Sequence, residues 1–200
     1  MSTVVLLGPP GVGKGTQSVA LADWLKVPAI STGQIFRTNI ADNTELGRLA
    51  ESYISQGQFV PDSVTTPMVA VRLAAPDVQD HGFVLDGYPR TIAQAHALRD
   101  ILAVEHIRLD LVLEFSAPED VLVERMIHRA AEEHRSDDNE ATFRKRLRDY
   151  YELTEPLATY YADQDLLEVV DATGDPDAVG ERMINALKAR GLCAVEPQNG

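Results

Sequence analysis

The run Gly8-Pro9-Pro10-Gly11-Val12-Gly13-Lys14-Gly15-Thr16 sets glycines at 8 and 13 and a lysine directly after the second. A turn this rich in glycine aims successive backbone N–H groups at phosphate oxygens. The lysine reaches the outer phosphates, and the N-terminus of a following helix adds its dipole. Gly11, Val12, Gly13, Lys14, Gly15 and Thr16 are therefore the candidate contacts to a nucleoside triphosphate. A plain glycine turn joining a strand to a helix needs no lysine at that place.

Other residues suit the same chemistry. Phe83-Val84-Leu85-Asp86 reads as a buried strand ending in an acid, the arrangement that holds Mg²⁺, usually through water, beside nucleotide phosphates. Thr16 is a possible further ligand. Taken alone, Asp86 fits equally well as an aspartate capping a turn. Arg37 and Arg90, from separate segments, can each offer a planar fork to one monophosphate dianion, and Gln94 offers a donor and an acceptor to a base edge. Arg125 and Arg129 stand at i and i+4, on one helix face, with Arg135 and Arg146 further on. Phosphoryl transfer asks the protein for positive charge around a spreading negative transition state and for exclusion of water. A solvated helix laced with Arg and Glu accounts for Arg144 and Arg148 well and for the others poorly.

The elements that must hold these residues are legible as alternating patterns. Short apolar runs at Thr3–Leu7, Pro28–Ile30, Gly82–Leu85, Leu109–Phe115 and Leu166–Val170 alternate with stretches of helical period, among them Thr16–Leu25, Pro61–Leu73, Thr91–Val104, Pro118–Ile127 and Asp177–Ala189. Pro118 and Pro176 suit a first helical turn, each followed by acids that favour a helix N-terminus. The expected fold class is α/β, three layers with a five-stranded parallel sheet flanked by helices. Residues 31–60 and 128–140 are too long and polar to be plain crossovers; insertions over a ligand edge are often lids, and the second also fits a solvated charged loop. Residues 1–190 are expected to form one domain, with 191–200 a flexible tail.

Composition bounds the class. With 200 residues, 44% hydrophobic and 24% charged, the chain can build one ordinary core. Lys+Arg 18 against Asp+Glu 31 gives a net charge of −13, a field that argues against a general nucleic-acid partner but does not veto a local phosphate site. The single cysteine, Cys193, precludes a disulfide framework or a cysteine-built zinc site. Because the short apolar run Val4–Leu7 breaks at Gly8 and no run approaches the roughly 20 residues of a membrane span, neither export nor membrane insertion is expected. A cytoplasmic location fits.

Five motifs in order, from about residue 3 to 190, give the sequence its resemblance to the adenylate kinase family. The loop resembles that family's Gly-x-Pro-Gly-x-Gly-Lys-Gly-Thr, with the hydroxyl at Thr16 rather than directly after the lysine. Ser31-Thr32-Gly33-Gln34-Ile35-Phe36-Arg37 resembles Ser-Thr-Gly-Asp/Glu-x-x-Arg, and Gly57-Gln58-Phe59-Val60-Pro61 resembles Gly-x-x-Val-Pro. Asp86-Gly87-Tyr88-Pro89-Arg90, with Gln94 four residues on, resembles Asp-Gly-Phe/Tyr-Pro-Arg. The arginines of 125–146 resemble the form in which a brief loop, about 129–139, replaces a longer, sometimes zinc-holding lid.

The resemblance implies the reaction Mg·ATP + AMP ⇌ 2 ADP, with Mg²⁺ and no zinc, in a monomer whose partners are small nucleotides. ATP would lie on Gly11–Thr16, with Arg129 on its phosphates and the backbone near Gly174 beside its adenine. AMP would lie on Thr32, Arg37, Gly87, Tyr88, Pro89, Arg90 and Gln94, with backbone from Gln58, Phe59 and Val60 closing over the base within the 31–60 insertion. Lys14, Arg90, Arg129, Arg135 and Arg146 would be the catalytic cations, the last two also reaching AMP. Two residues depart from the family pattern: Gln34 stands where an acid is usual, and His134 where a glycine is common. Both bear on lid closure. The alternative is a UMP/CMP-type kinase, whose members tend to lack the threonine at the Thr32 position and to carry asparagine near that of Gln94.

Overall fold

A computed structural model describes residues 1–55, 58, 60–133 and 140–193, leaving out the side chains of 128–133 and 140–142. Five strands form one parallel sheet: β1 (Ser2–Leu7), β2 (Ala29–Ser31), β3 (Gly82–Asp86), β4 (Leu111–Ser116) and β5 (Leu167–Asp171), in the order β2-β3-β1-β4-β5. The β1 run is buried throughout, because a parallel sheet carries helices on both faces and its central strands need apolar groups on both.

Alternation along the strands divides the core in two. Val4 and Leu6 of β1, Val84 of β3, and Leu111, Leu113 and Phe115 of β4 face one cluster. It is covered by α1 (Lys14–Leu25), α7 (Glu119–Glu133), α8 (Glu140–Asp149) and α10 (Pro176–Ala189), through Leu21, Leu122, Leu147 and Met183. Val5, Leu7, Phe83, Leu85 and Val112 face the other. There α4 (Asp62–Leu73), α5 (Pro76–His81), α6 (Ile92–Val104) and α9 (Pro156–Ala162) supply Val69, Val78, Leu98 and Leu157. The expected α/β fold with five parallel strands is what the chain adopts.

The 31–60 interval holds two helices to which the sequence pattern assigned no element, α2 (Thr32–Ala41) and α3 (Glu45–Ile54). The first follows β2 without a connecting loop, so no turn residue announces it. The second is capped by Thr44, whose hydroxyl accepts from the Gly47 N–H at 2.9 Å. Both pack on α4 through a small separate core of Ala50, Val60, Val64 and Met68, with Ile35, Phe36, Leu46 and Tyr53 at its edge. Also unassigned from sequence were α5, α8, a π-helical turn at Tyr150–Thr154, and α9. Helix α7 runs to Glu133, beyond the periodic stretch Pro118–Ile127 and past the Arg125/Arg129 pair.

Because β1 sits between β3 and β4 in the sheet, the chain departs from the carboxyl ends of neighbouring strands in opposite directions. The crevice left there is the place where α/β sheets bind ligands. The loop after β1, Asp86 at the end of β3 and Ser31 at the end of β2 all lie at that edge.

Candidate active site

The loop between β1 and α1 is shaped by close approach. Gly8 has φ 141°, and a Cβ there would stand 2.6 Å from the Phe115 carbonyl oxygen, so only glycine brings the chain this close to β4. At the far end Gly13, in a left-handed conformation, caps α1 with no side-chain bond. Among the described residues, no side chain therefore takes the first N–H groups of that helix, which remain available to an anion.

Lys14 folds back over the loop, its Nζ donating to the carbonyl oxygens of Gly8 at 2.6 Å and Pro9 at 3.1 Å. Burial pulls its ammonium down to about 8; Asp86 works against that shift and Arg90 adds to it. Arg90 responds alike: burial lowers its guanidinium, Asp86 opposes the shift, and repulsion from Arg146 reinforces it. Cations from α1, the β3–α6 loop and α8 thus share one neighbourhood with the Asp86 carboxylate. Gathered positive charge of this kind suits a polyphosphate.

The Oδ1 of Asp86 is buried with no hydrogen-bond partner, and Thr16 presents an exposed hydroxyl on the first turns of α1. A hard oxygen donor left unsatisfied at the phosphate edge fits Mg²⁺ held directly or through water. Among the described residues, no group of three or more His, Cys, Asp or Glu gathers as a metal cluster.

A second cradle lies across the crevice. Gly87 has φ 85°, and a Cβ there would collide with the Thr32 hydroxyl, which donates to the Gly87 carbonyl at 3.2 Å. Arg90 Nε donates to the same carbonyl at 2.9 Å, and the Arg90 carbonyl accepts from Thr154 Oγ1 at 2.9 Å. Tyr88 is fully buried, its hydroxyl 3.1 Å from Thr66 Oγ1, and the Tyr88–Pro89 bond is cis. Gln94, 6% exposed, accepts from the Arg90 backbone N–H at 2.7 Å and donates to Asp62 Oδ1 at 2.6 Å. Arg37 is held on α2 by the Gln34 side chain, its Nη2 donating to Oε1 at 2.9 Å. Val60 is buried in the small core, its carbonyl accepting from Thr65 Oγ1 at 3.3 Å, and Gln58 donates its N–H to Tyr53 at 2.9 Å.

The structure therefore brings together Lys14, Asp86, Arg90 and Arg146, and separately Thr32, Gly87, Tyr88, Pro89, Arg90 and Gln94. Gly174 lies on the β5–α10 loop, its carbonyl accepting from Arg125 Nη2 at 3.0 Å. Phe59, Arg135 and the Arg129 side chain lie outside the described residues. Two further side chains had been given no role in the site. Arg125 joins the phosphate loop to the β5–α10 loop, its Nη1 donating to the Val12 carbonyl at 3.2 Å. Asp62 holds Gln94; only its place directly after Val60-Pro61 pointed to it, and that also reads as a helix-starting acid.

The fold and site define a phosphate-loop α/β protein with a second polar cradle beside the loop, a class that moves phosphoryl groups between nucleotides. A model of the adenylate kinase family matches residues 6–166. The adenylate kinase of Thermobifida fusca (strain YX) is 48% identical over 187 residues, covering 94% of this chain and 98% of the relative. That of Nocardia farcinica (strain IFM 10152) is 52% identical over 184 residues, covering 92% and 98%. The adenylate kinase of Mycolicibacterium smegmatis is 47% identical over 184 residues with the same coverage. The chain belongs to the adenylate kinase family and is a phosphotransferase.

Proposed function

We propose that the chain transfers the terminal phosphoryl group of ATP to AMP, reversibly, with the donor on Gly11–Thr16 and the acceptor on Thr32, Arg37, Gly87–Arg90 and Gln94. The observation that carries this reading is the convergence of Lys14 and Arg90 on Asp86, with Arg146 close enough to Arg90 to repel it. Positioned positive charge between donor and acceptor is most of what a phosphoryl-transfer enzyme must supply, and no general base is needed. The Lys14 ammonium exchanges its two loop carbonyl acceptors for oxygens of the outer phosphates. Arg90, anchored through Nε, directs the rest of its fork at the acceptor phosphate, and Arg37 approaches that phosphate from α2. Arg129, Arg135 and Arg146 gather on the transferring group when the 129–139 lid closes, excluding water.

Asp86, through water, and Thr16 would hold Mg²⁺. When bound, Mg²⁺ neutralises charge shared between the outer phosphates. The base of AMP rests on Gln94 and Thr32, with the backbone of 58–60 over it, while the ATP base lies along the loop at Gly174. Residues 1–190 act as one kinase domain, with 31–60 as its AMP-binding insertion and about 129–139 as its short lid. A cytoplasmic monomer whose partners are ATP, AMP and ADP is consistent with an exposed lone Cys193 and with the lack, among the described residues, of a helix long and apolar enough to cross a membrane. The test is a coupled assay for ADP formed from ATP and AMP with Mg²⁺. Two ADP per AMP consumed is expected, and hydrolysis of ATP without AMP consumption would contradict the reading.

A further inference from the structure

The acceptor-side amide is held in a way that assigns a role to Asp62, the first residue of α4. Gln94 sits on the first turn of α6, its own N–H taken by the Thr91 hydroxyl at 3.1 Å, and its side chain reaches across to α4. Its two polar ends meet partners of fixed and opposite kind. Nε2 donates to Asp62 Oδ1 at 2.6 Å, where an ionised carboxylate can only accept. Oε1 accepts from the Arg90 backbone N–H at 2.7 Å, a group that can only donate. Turning the carboxamide by 180° would set carbonyl against carboxylate and amino group against N–H, two like pairs at once. The Arg90 backbone cannot give way easily, since its carbonyl is tied to Thr154 and its Nε to Gly87.

We propose that Asp62 is a positioning residue for base choice: it locks the Gln94 carboxamide in the one orientation that matches an adenine edge. This rests on the reading of Gln94 as the acceptor-base contact. Each end of the amide keeps spare capacity, one N–H and one carbonyl lone pair, for a base. Adenine presents an amino donor beside a ring-nitrogen acceptor, whereas guanine presents a carbonyl acceptor beside a ring N–H donor. The two purines are therefore opposite in pattern, and a carboxamide free to turn can serve either. One that is locked serves one and leaves unpaired groups against the other. An acid at the start of α4 also suits the helix dipole, but that role needs no contact to Gln94.

The experiment compares Asp62→Ala, Asp62→Asn, Gln94→Ala and the Asp62→Ala/Gln94→Ala double variant, measuring kcat and KM for AMP, GMP and ATP, with thermal unfolding of each. Asp62→Ala should raise the KM for AMP about tenfold, narrow the AMP/GMP ratio of kcat/KM about tenfold and leave the KM for ATP unchanged. Asp62→Asn still offers an oxygen at the same place but no longer accepts exclusively, so its ratio should fall between wild type and Ala; it also serves if the Ala variant does not fold. In the Gln94→Ala background the Asp62 change should add nothing, because it acts through the amide. A lowered Tm with an intact AMP/GMP ratio would reduce Asp62 to a helix-starting acid, and additive losses in the double variant would show that it acts apart from Gln94. If Gln94→Ala leaves the AMP/GMP ratio unchanged, the base reading itself fails and this proposal with it.

Discussion

The loop at 8–16 and the cradle at 32, 87–90 and 94 share one sheet edge but are made of different groups. The first is mostly backbone: a glycine turn, a helix N-terminus without a side-chain cap, and one lysine bonded to carbonyls of its own loop. The second is mostly side chains that hold one another, with Thr32 and Arg90 on the Gly87 carbonyl and Gln94 between Asp62 and Arg90. Backbone N–H groups bind phosphate whatever base is attached. A locked carboxamide reads one pattern of donors and acceptors, and loses affinity when offered another. The donor loop should therefore supply rate and the acceptor cradle selectivity.

The largest effect is expected on the donor side. Lys14→Met removes the cation proposed to meet the outer phosphates and should cost several kcal/mol of transition-state stabilisation, about a thousandfold in kcat. Near-normal turnover would break the assignment of the loop. Next come Arg129→Ala and Arg135→Ala, which should lower kcat far more than they weaken binding of either nucleotide alone, as groups acting in the closed state do. Equal losses in binding and turnover, measured by titration and steady-state kinetics, would instead mean simple attraction in the ground state.

Arg125→Ala sharpens the comparison. Cutting the tie between the Val12 and Gly174 carbonyls should raise the KM for ATP by roughly three- to tenfold through loosening of the donor loop, with the KM for AMP unmoved. A matching rise for AMP would show that the two cradles are not independent.

The smallest effect concerns stability alone. Burial raises the Glu114 carboxyl, on β4, above its ordinary range, while the Tyr150 hydroxyl donates to it at 3.3 Å and partly opposes the shift. Such a group favours the folded state most at low pH. Its contribution is lost as pH rises through the folded value, because the native chain must then bury a charge that the unfolded chain exposes. Glu114→Gln keeps an acceptor for Tyr150 and removes that cost. Its Tm should lie slightly above wild type at pH 7, the gap closing toward pH 4, and a lower Tm at pH 7 would mean that the charge itself stabilises the native state.

The donor loop was legible in the sequence because its chemistry is local: glycines, lysine and helix start stand in one run, and the strand before them is apolar throughout. The five strands were legible for the same reason, each a short apolar run, with β1, β3 and β4 buried along most of their length and the edge strands β2 and β5 only in part. Much of the 31–60 insertion was not, since α2 follows β2 without a turn and α3 buries a narrow stripe on a small core of its own. The residues of the cradle at 32, 87–90 and 94 could be named one by one from the sequence, but their wiring could not. The contact between Asp62 and Gln94 joins two helices 32 positions apart, and nothing in local spacing distinguishes that acid from any other at a helix start. Arg125 likewise read as half of a helix-face pair, because its two carbonyl partners come from distant loops.

The contrast between the two cradles is tested most directly by measuring base discrimination on both sides of the same enzyme. With ATP as donor, AMP, GMP, UMP and CMP are compared as acceptors; with AMP as acceptor, ATP, GTP, UTP and CTP are compared as donors. Leaving a single buried polar group unpaired costs about 1–3 kcal/mol, so AMP should exceed every other acceptor at least roughly tenfold in kcat/KM, while the spread among donors stays narrower. A preference for UMP or CMP as acceptor, or a donor spread wider than the acceptor spread, would contradict the account.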